Sequence, residues 1–179
     1  VQASLGIRRA QEIMGGNGAI EDFSVVPRLY RDALVFESWE GSHNVLCLQA
    51  ARDMQRYGLH EHLLTYLGAL LDGVTRPDLA EAQDQILAQM DQVRQQLERV
   101  LGSSSEFLQT HIRRTIDQLA LLVQATCLLA EADWELSREM QTDKPAALAF
   151  FVNRYLRPGY EPMKDGAYLD RLAKLAEAL

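Results

Sequence analysis

Apolar residues recur along this chain at the three- and four-residue spacing of helices that bury one face. The stretch after Arg76 shows the pattern most clearly, with apolar residues at Leu79, Ile86, Met90, Val93, Leu97 and Val100. No stretch alternates apolar and polar residues for long enough to indicate a strand. The pattern predicts an all-α fold, an antiparallel helix bundle with short loops.

Helix-breaking and helix-capping residues divide this pattern into segments. Glycine at positions 15, 16, 58 and 102 and proline at positions 27, 77, 145 and 158 mark most of the boundaries. We also expect a capping box from Ser103 to Glu106 at the start of the longest helix. The predicted helices cover residues 3–14, 27–36, 42–58, 59–71, 76–102, 103–140, 143–158 and 165–179.

The chain divides into two regions of different character near Gly58. Candidate chemical motifs all precede this residue, and plain bundle patterning follows it. We therefore predict one domain portion over residues 1–58 and a helical C-terminal extension over residues 59–179. Since Val1 opens directly into a helical pattern, we expect the chain to be the C-terminal part of a longer protein.

Charge bears on the possible partners. The net charge is −7; residues 1–54 hold five basic and seven acidic side chains, and residues 55–179 hold 13 and 18. A protein that neutralises DNA phosphates normally carries a cationic surface. The composition therefore argues against DNA binding.

The cysteines and the hydropathy bear on the cellular compartment. Cys47 and Cys127 both fall in apolar helical contexts, so we expect two buried thiols and a reducing, cytoplasmic compartment. There is no run of 18 apolar residues, so we expect no membrane span.

The glycine-rich run GGNG at residues 15–18 is the first candidate motif. Backbone without side chains can approach a phosphate or a flat ring closely. The run lacks the preceding strand and the third glycine of a dinucleotide-binding fingerprint. Taken alone, a helix end followed by a turn explains it at least as well.

The second candidate motif is WEGS at residues 39–42, a turn that opens a helix. An aromatic neighbour such as Trp39 can desolvate the Glu40 carboxylate and make it a better base near neutral pH. The competing interpretation is a solvated loop glutamate. The nearby sequence HEH at residues 60–62 does not indicate a metal site, because residues two apart on a helix point to different sides.

The run from Glu12 to Met54 combines these motifs and resembles the C-terminal helical domain of acyl-CoA dehydrogenases. That family shows a helix ending in GG-x-G, then an R-x-x-RD element, then an aromatic-E-G-T turn that opens a helix. Here these are GGNG at 15–18, RLYRD at 28–32 and WEGS at 39–42. The order and spacing of the three elements make the resemblance specific.

The resemblance implies an oxidoreductase of fatty acid metabolism that uses FAD and an acyl-CoA substrate. It assigns the catalytic base to Glu40 and contacts with substrate to Trp39, Glu40 and Gly41. It assigns contacts with FAD to Ser42, Asn44 and the pair Gly15 and Gly16. The glycine pair would approach the FAD of a neighbouring subunit, which implies a homo-oligomer, a dimer or a tetramer.

The form of the turn and the long helical extension are most similar to the AidB-like branch of the family. Members of that branch include flavoproteins associated with DNA in the alkylation damage response, which is one alternative function. A non-catalytic helical assembly module is another. The domains that complete the flavin site in the family are absent here, so we expect the isolated chain to be inactive. The electron acceptor and the acyl chain length do not follow from the sequence.

Overall fold

A computed structural model describes residues 2–177, and all regular structure within that range is helical. Three 3-10 helices, at Gly15–Ala19, Pro77–Leu79 and Pro162–Lys164, lie in the connections. This confirms the predicted all-α class. The α-helices are α1 (Gln2–Ile13), α2 (Val26–Ser38), α3 (His43–Tyr57), α4 (Leu59–Asp72), α5 (Ala80–Leu101), α6 (Ser105–Leu136), α7 (Lys144–Tyr155) and α8 (Tyr168–Glu177).

Several boundaries follow from the expected breakers. Pro27 occupies the first turn of α2, where its missing amide proton costs nothing. Gly58, with φ of 64°, separates α3 from α4 in a conformation that favours glycine. The last helix, α8, begins at Tyr168, later than the predicted start at residue 165. The predicted end of this helix, at Ala178 and Leu179, lies outside the described residues.

The predicted capping box at the start of α6 is wrong. The N-cap is Ser104, whose hydroxyl oxygen accepts a hydrogen bond from the amide of Phe107 at 3.3 Å. Ser103 is one residue too early, and its hydroxyl donates instead to the carbonyl oxygen of Arg99 at the end of α5. Ser103 therefore bonds to the end of α5, although the sequence pattern assigned it to the start of α6.

The chain forms two compact units, residues 1–50 and 51–179, which divide within α3. The sequence placed its boundary near Gly58, where α3 ends. The compact units thus divide inside a continuous helix, while the functional division over residues 1–58 and 59–179 stays a prediction.

In the second unit, α6 packs against α4, α5 and α7 around a continuous apolar core. Only residues 102–104 connect α5 to α6, so these two long helices run in opposite directions. Fully buried core side chains include Leu71, Ile86, Val93, Leu97, Leu122 and Leu129.

Polar contacts fix the ends of these helices. The Arg76 guanidinium binds both carboxylate oxygens of Asp78, at 2.9 and 3.1 Å, and donates to the Leu136 carbonyl oxygen at 3.4 Å. It thereby ties the segment before α5 to the end of α6. Lys144, at the start of α7, pairs with Glu131 at 2.7 Å and Glu135 at 2.6 Å on α6.

Two expectations concern α6, namely that the chain has no membrane span and that Cys127 is buried. One 18-residue window of this helix has a mean hydropathy of 1.2, so α6 is long and apolar enough to cross a membrane by length and composition. Its packing against three helices accounts for this, because such a helix must be apolar on more than one side. Cys127 on α6 is exposed rather than buried, whereas Cys47 on α3 is buried as expected.

The first unit buries very little. Its buried residues are small or polar apart from one proline, and large apolar side chains are exposed along α1, α2 and the connections. Phe36 is 77% exposed and Phe23 64%. Exposed apolar surface of this extent is typical of a surface that another chain or domain covers. The buried residues are Ser4, Gly18, Pro27, Ala33 and Cys47.

We predict that Leu122→Ala lowers the free energy of unfolding of the chain by about 2–5 kcal/mol, because it leaves a cavity in a fully buried position. Urea unfolding followed by circular dichroism measures the change. Leu169→Ala on α8, where the leucine is 72% exposed, is the matched control and should change the free energy by less than about 0.5 kcal/mol. Equal effects at the two positions would contradict the core described above.

We also predict that Lys144 contributes to the stability of the fold and that this contribution depends on pH. The hydrogen bond from Lys144, followed by that from Thr142, lowers the pKa of Glu135 below its ordinary value of 4.5. A carboxylate with a lowered pKa stabilises the fold above its unfolded-state pKa, and this stabilisation is lost as the pH falls. Lys144→Met should therefore lower the melting temperature at pH 7, and the gap to wild type should narrow below about pH 4.5. A gap that stays constant down to pH 3 would show that the ion pair does not stabilise the bundle.

Candidate functional site

The turn between α2 and α3 has the geometry of a type II β-turn. Trp39 has φ of −60° and ψ of 131°, and Glu40 has φ of 67°. The Gly41 amide donates to the Ser38 carbonyl oxygen at 3.3 Å and closes the turn. Glycine or asparagine normally occupies the position of Glu40 in such a turn, because its φ is positive. A glutamate here is held in a strained backbone conformation, which is a common property of functional residues.

Both functional groups of Glu40 are available to a ligand. Its side chain is exposed and forms no hydrogen bond or ion pair with any residue in the range 2–177. Within the same range, no acceptor takes the proton of its backbone amide. The turn therefore presents one carboxylate that can accept a proton and one amide that can donate a hydrogen bond.

Trp39 is 64% exposed beside Glu40. The described part of this unit therefore does not desolvate the Glu40 carboxylate in the way that the sequence suggested. Gly41 has φ of 132°, which a residue with a side chain rarely adopts, so the turn needs glycine here.

Ser42 and Asn44 lie at the start of α3 and are exposed. The Ser42 carbonyl oxygen accepts the Leu46 amide at 3.1 Å, which places Ser42 at the N-cap position. Both side chains therefore stand at the N-terminal end of a helix, immediately after Glu40. Such a helix end favours an anionic group, because backbone amides there lack partners within the helix.

The glycines of residues 15–18 have different roles. Gly15 has φ of 59°, and a Cβ built on Gly15 or Gly16 would meet nothing within 4 Å. The backbone at this pair is therefore open and could be approached closely. At Gly18, by contrast, a Cβ would lie 2.4 Å from the Gln11 carbonyl oxygen, so this glycine is needed for packing against α1.

The arginines and the aspartate of residues 28–32 form ion pairs within the same unit. Arg31 pairs with Glu21 and so ties α2 to the connection that precedes it. Asp32 pairs with Arg28 one turn away at 3.8 Å. These exposed contacts give Arg31 and Asp32 a structural role within this unit.

The structure does not bring the glycine pair and the Glu40 turn together within one chain. Ser4, near the start of α1, donates a hydrogen bond to Glu37, near the end of α2, so the packed helices α1 and α2 run in opposite directions. Gly15 lies eleven residues after Ser4. At about 1.5 Å per residue this separates the glycine pair from the Glu40 end of α2 by roughly 16 Å along the helix axis.

The Ser4–Glu37 contact is the feature of this region that sequence reasoning missed. No motif links two residues that are 33 positions apart, and serine near a helix start usually suggests a cap. The proximity follows only from the packing of α1 against α2. As for metals, no group of three or more histidine, cysteine, aspartate or glutamate residues that could hold an ion occurs in the described part of the chain.

Comparison with known proteins locates the similarity in the first third of the chain. Residues 3–55 match the family model described as "Acyl-CoA dehydrogenase, C-terminal domain". A 50-residue segment is 42% identical to the Escherichia coli (strain K12) protein named "Putative acyl-CoA dehydrogenase AidB". This segment covers 28% of the present chain and 9% of that protein. No solved structure matches the chain.

The positive φ of Glu40 predicts that its substitutions differ in their effect on stability. Glu40→Gly should raise the free energy of unfolding by about 1 kcal/mol relative to Glu40→Ala, because only glycine relieves the positive φ. Both variants lose the carboxylate equally. Urea unfolding followed through Trp39 fluorescence, with Trp134→Phe as background, reports on this unit. Equal stability of the two variants would show that the turn stores no strain at Glu40.

Proposed function

Because residues 3–55 belong to the acyl-CoA dehydrogenase C-terminal domain family, we propose that this chain is part of a flavin-dependent acyl-CoA dehydrogenase with Glu40 as its catalytic base. The reaction is α,β-dehydrogenation of an acyl-CoA thioester. The carboxylate of Glu40 takes the proton from the α-carbon, and the β-hydrogen leaves with its electron pair. The observation that carries the proposal is a glutamate with no partner, in a strained turn, inside the segment that matches the family.

The backbone of the same residue supports a second role. As the α-proton leaves, negative charge develops on the thioester carbonyl oxygen. A preorganised N–H donor that faces this oxygen stabilises the charge and makes the proton easier to remove. The amide of Glu40, which has no acceptor among residues 2–177, is suited to this role. Trp39 and Gly41 would then contact the substrate on either side of the base.

FAD, when bound, would supply the acceptor for the hydride from the β-carbon. The residues proposed to hold it are Ser42 and Asn44 at the start of α3, and Gly15 and Gly16. Their arrangement fits this cofactor, because the exposed helix start suits its phosphates and the open backbone at the glycine pair allows close approach.

We further propose that the protein acts as a homo-oligomer. The glycine pair and Glu40 lie at opposite ends of the α1–α2 pair, which supports contacts with two different FAD molecules rather than one. The exposed apolar side chains of the first unit supply surface for such contacts. The relative with 42% identity is itself named "Putative acyl-CoA dehydrogenase AidB", and the shared segment is 9% of that protein.

We predict that Glu40→Gln in the full-length protein retains FAD but loses most acyl-CoA oxidation. Glutamine is nearly isosteric and keeps the backbone amide, yet it cannot accept the α-proton. Loss of a general base costs on the order of 10²–10⁴-fold in rate. Anaerobic flavin reduction by a series of acyl-CoA thioesters, followed by absorbance, measures this rate.

Glu81→Gln is the matched control for this experiment. It makes the same chemical change at a side chain that is 81% exposed in the second unit, and it should leave the rate unchanged. Equal rates for wild type and Glu40→Gln would show that another residue is the base. Failure of every acyl-CoA to reduce the wild-type flavin would contradict the proposed function.

A further inference from the structure

The orientation of Glu40 depends on the backbone around it. Its carboxylate forms no hydrogen bond or ion pair with any other residue in the described range, so no polar side chain fixes its direction. On one side the turn continues into α3, where the Ser42 carbonyl oxygen accepts the first helical hydrogen bond. On the other side it is continuous with the last turn of α2, where the Trp39 amide donates to the Val35 carbonyl oxygen at 2.9 Å. A contact that fixes the position of the end of α2 therefore also fixes the position of the Glu40 backbone.

Glu37 fixes this end of α2 to another helix. It lies in the last turn of α2, and its carboxylate accepts a hydrogen bond from the hydroxyl of Ser4 on α1. Ser4 is only 7% exposed in a unit that buries few residues. A charge-assisted hydrogen bond of this kind is stronger and more directional than one between neutral groups.

The ionised state of Glu37 fits this role. The hydrogen bond from Ser4 is the largest of several influences that lower the pKa of the Glu37 carboxyl, and the nearby His43 at the start of α3 is the smallest of them. Glu37 thus interacts with α1 on one side and with the first residue of α3 on the other. Its hydrogen bond therefore joins α1 to the last turn of α2, the helix that leads into the turn carrying Glu40.

We infer that Glu37, held by the hydroxyl of Ser4, is a positioning residue that orients the Glu40 base toward the α-carbon of the substrate. This inference rests on the proposed function. Glu37 does not touch the reacting atoms, and its effect is transmitted through the two residues that separate it from Glu40. A small misplacement of a catalytic group can cost up to about 10²-fold in rate.

The test uses the full-length protein and isotopically labelled substrate. Ser4→Ala removes the donor, and Glu37→Leu removes the acceptor without a large change in size. Both should slow flavin reduction by about tenfold. Because removal of the α-proton would then limit the rate more strongly, the isotope effect with α-deuterated acyl-CoA should rise, while FAD content should stay near that of wild type.

Two further variants separate positioning from general damage. Glu37→Gln keeps an oxygen that can accept the Ser4 proton, so it should recover most of the rate and the wild-type isotope effect. Ser24→Ala removes an exposed hydroxyl of the same unit and should behave as wild type. A loss of folded protein alone would lower the rate in proportion to FAD content and leave the isotope effect unchanged, and that result would overturn the inference. Wild-type rates in both Ser4→Ala and Glu37→Leu would overturn it as well.

Amide hydrogen exchange distinguishes failure of this inference from failure of the proposed function. The Gly41 amide closes the turn and should exchange faster in Ser4→Ala and Glu37→Leu, but not in Glu37→Gln. This measurement needs no substrate. If no acyl-CoA reduces the wild-type flavin, the proposed function fails. The inference that Glu37 orients Glu40 as a catalytic base then fails with it. The exchange rates then show whether Ser4 and Glu37 hold the turn at all, and unchanged rates would refute that contact as well.

Discussion

The backbone reversal at residues 38–41 is the constraint on which the arrangement of the first unit depends. Two consecutive residues, Glu40 and Gly41, have positive φ there, and the first of them is not glycine. A glutamate in this conformation costs free energy that a glycine would not. The surrounding hydrogen bonds keep the turn in place, so the carboxylate projects from a fixed point of the chain rather than from a mobile loop.

Much of the fold could be predicted from the sequence because its signals are local. Helical spacing gave the class, and Pro27, Gly58 and Gly102 gave boundaries that the structure confirms. Details that depend on competition between neighbours could not be predicted in this way. Ser103 bonds to the preceding helix, so Ser104 became the cap, and Cys127 faces outward because the buried face of α6 lies elsewhere.

The candidate site shows the same division between local and long-range information. The WEGS turn was predicted from contiguous residues, and the structure forms a turn there. The contact between Ser4 and Glu37 was not predictable, because it joins distant positions through helix packing. The two glycines of the pair also differ from Gly18, which the motif groups with them but which the structure uses to approach Gln11. The sequence motif therefore identified the region. Only the packing distinguishes the residues that support the backbone from the residues that could contact a ligand.

The uneven burial of apolar side chains has a consequence for the order of folding. Among the described residues, the apolar core draws only on Met54 and later positions, and α5 and α6 meet across a three-residue connection. Contacts this close in sequence form quickly, so the second unit can reach its native packing with no help from the first. The first unit has no comparable core to drive its own collapse. The segment that carries Glu40 is therefore expected to be the last part of this chain to become fully ordered.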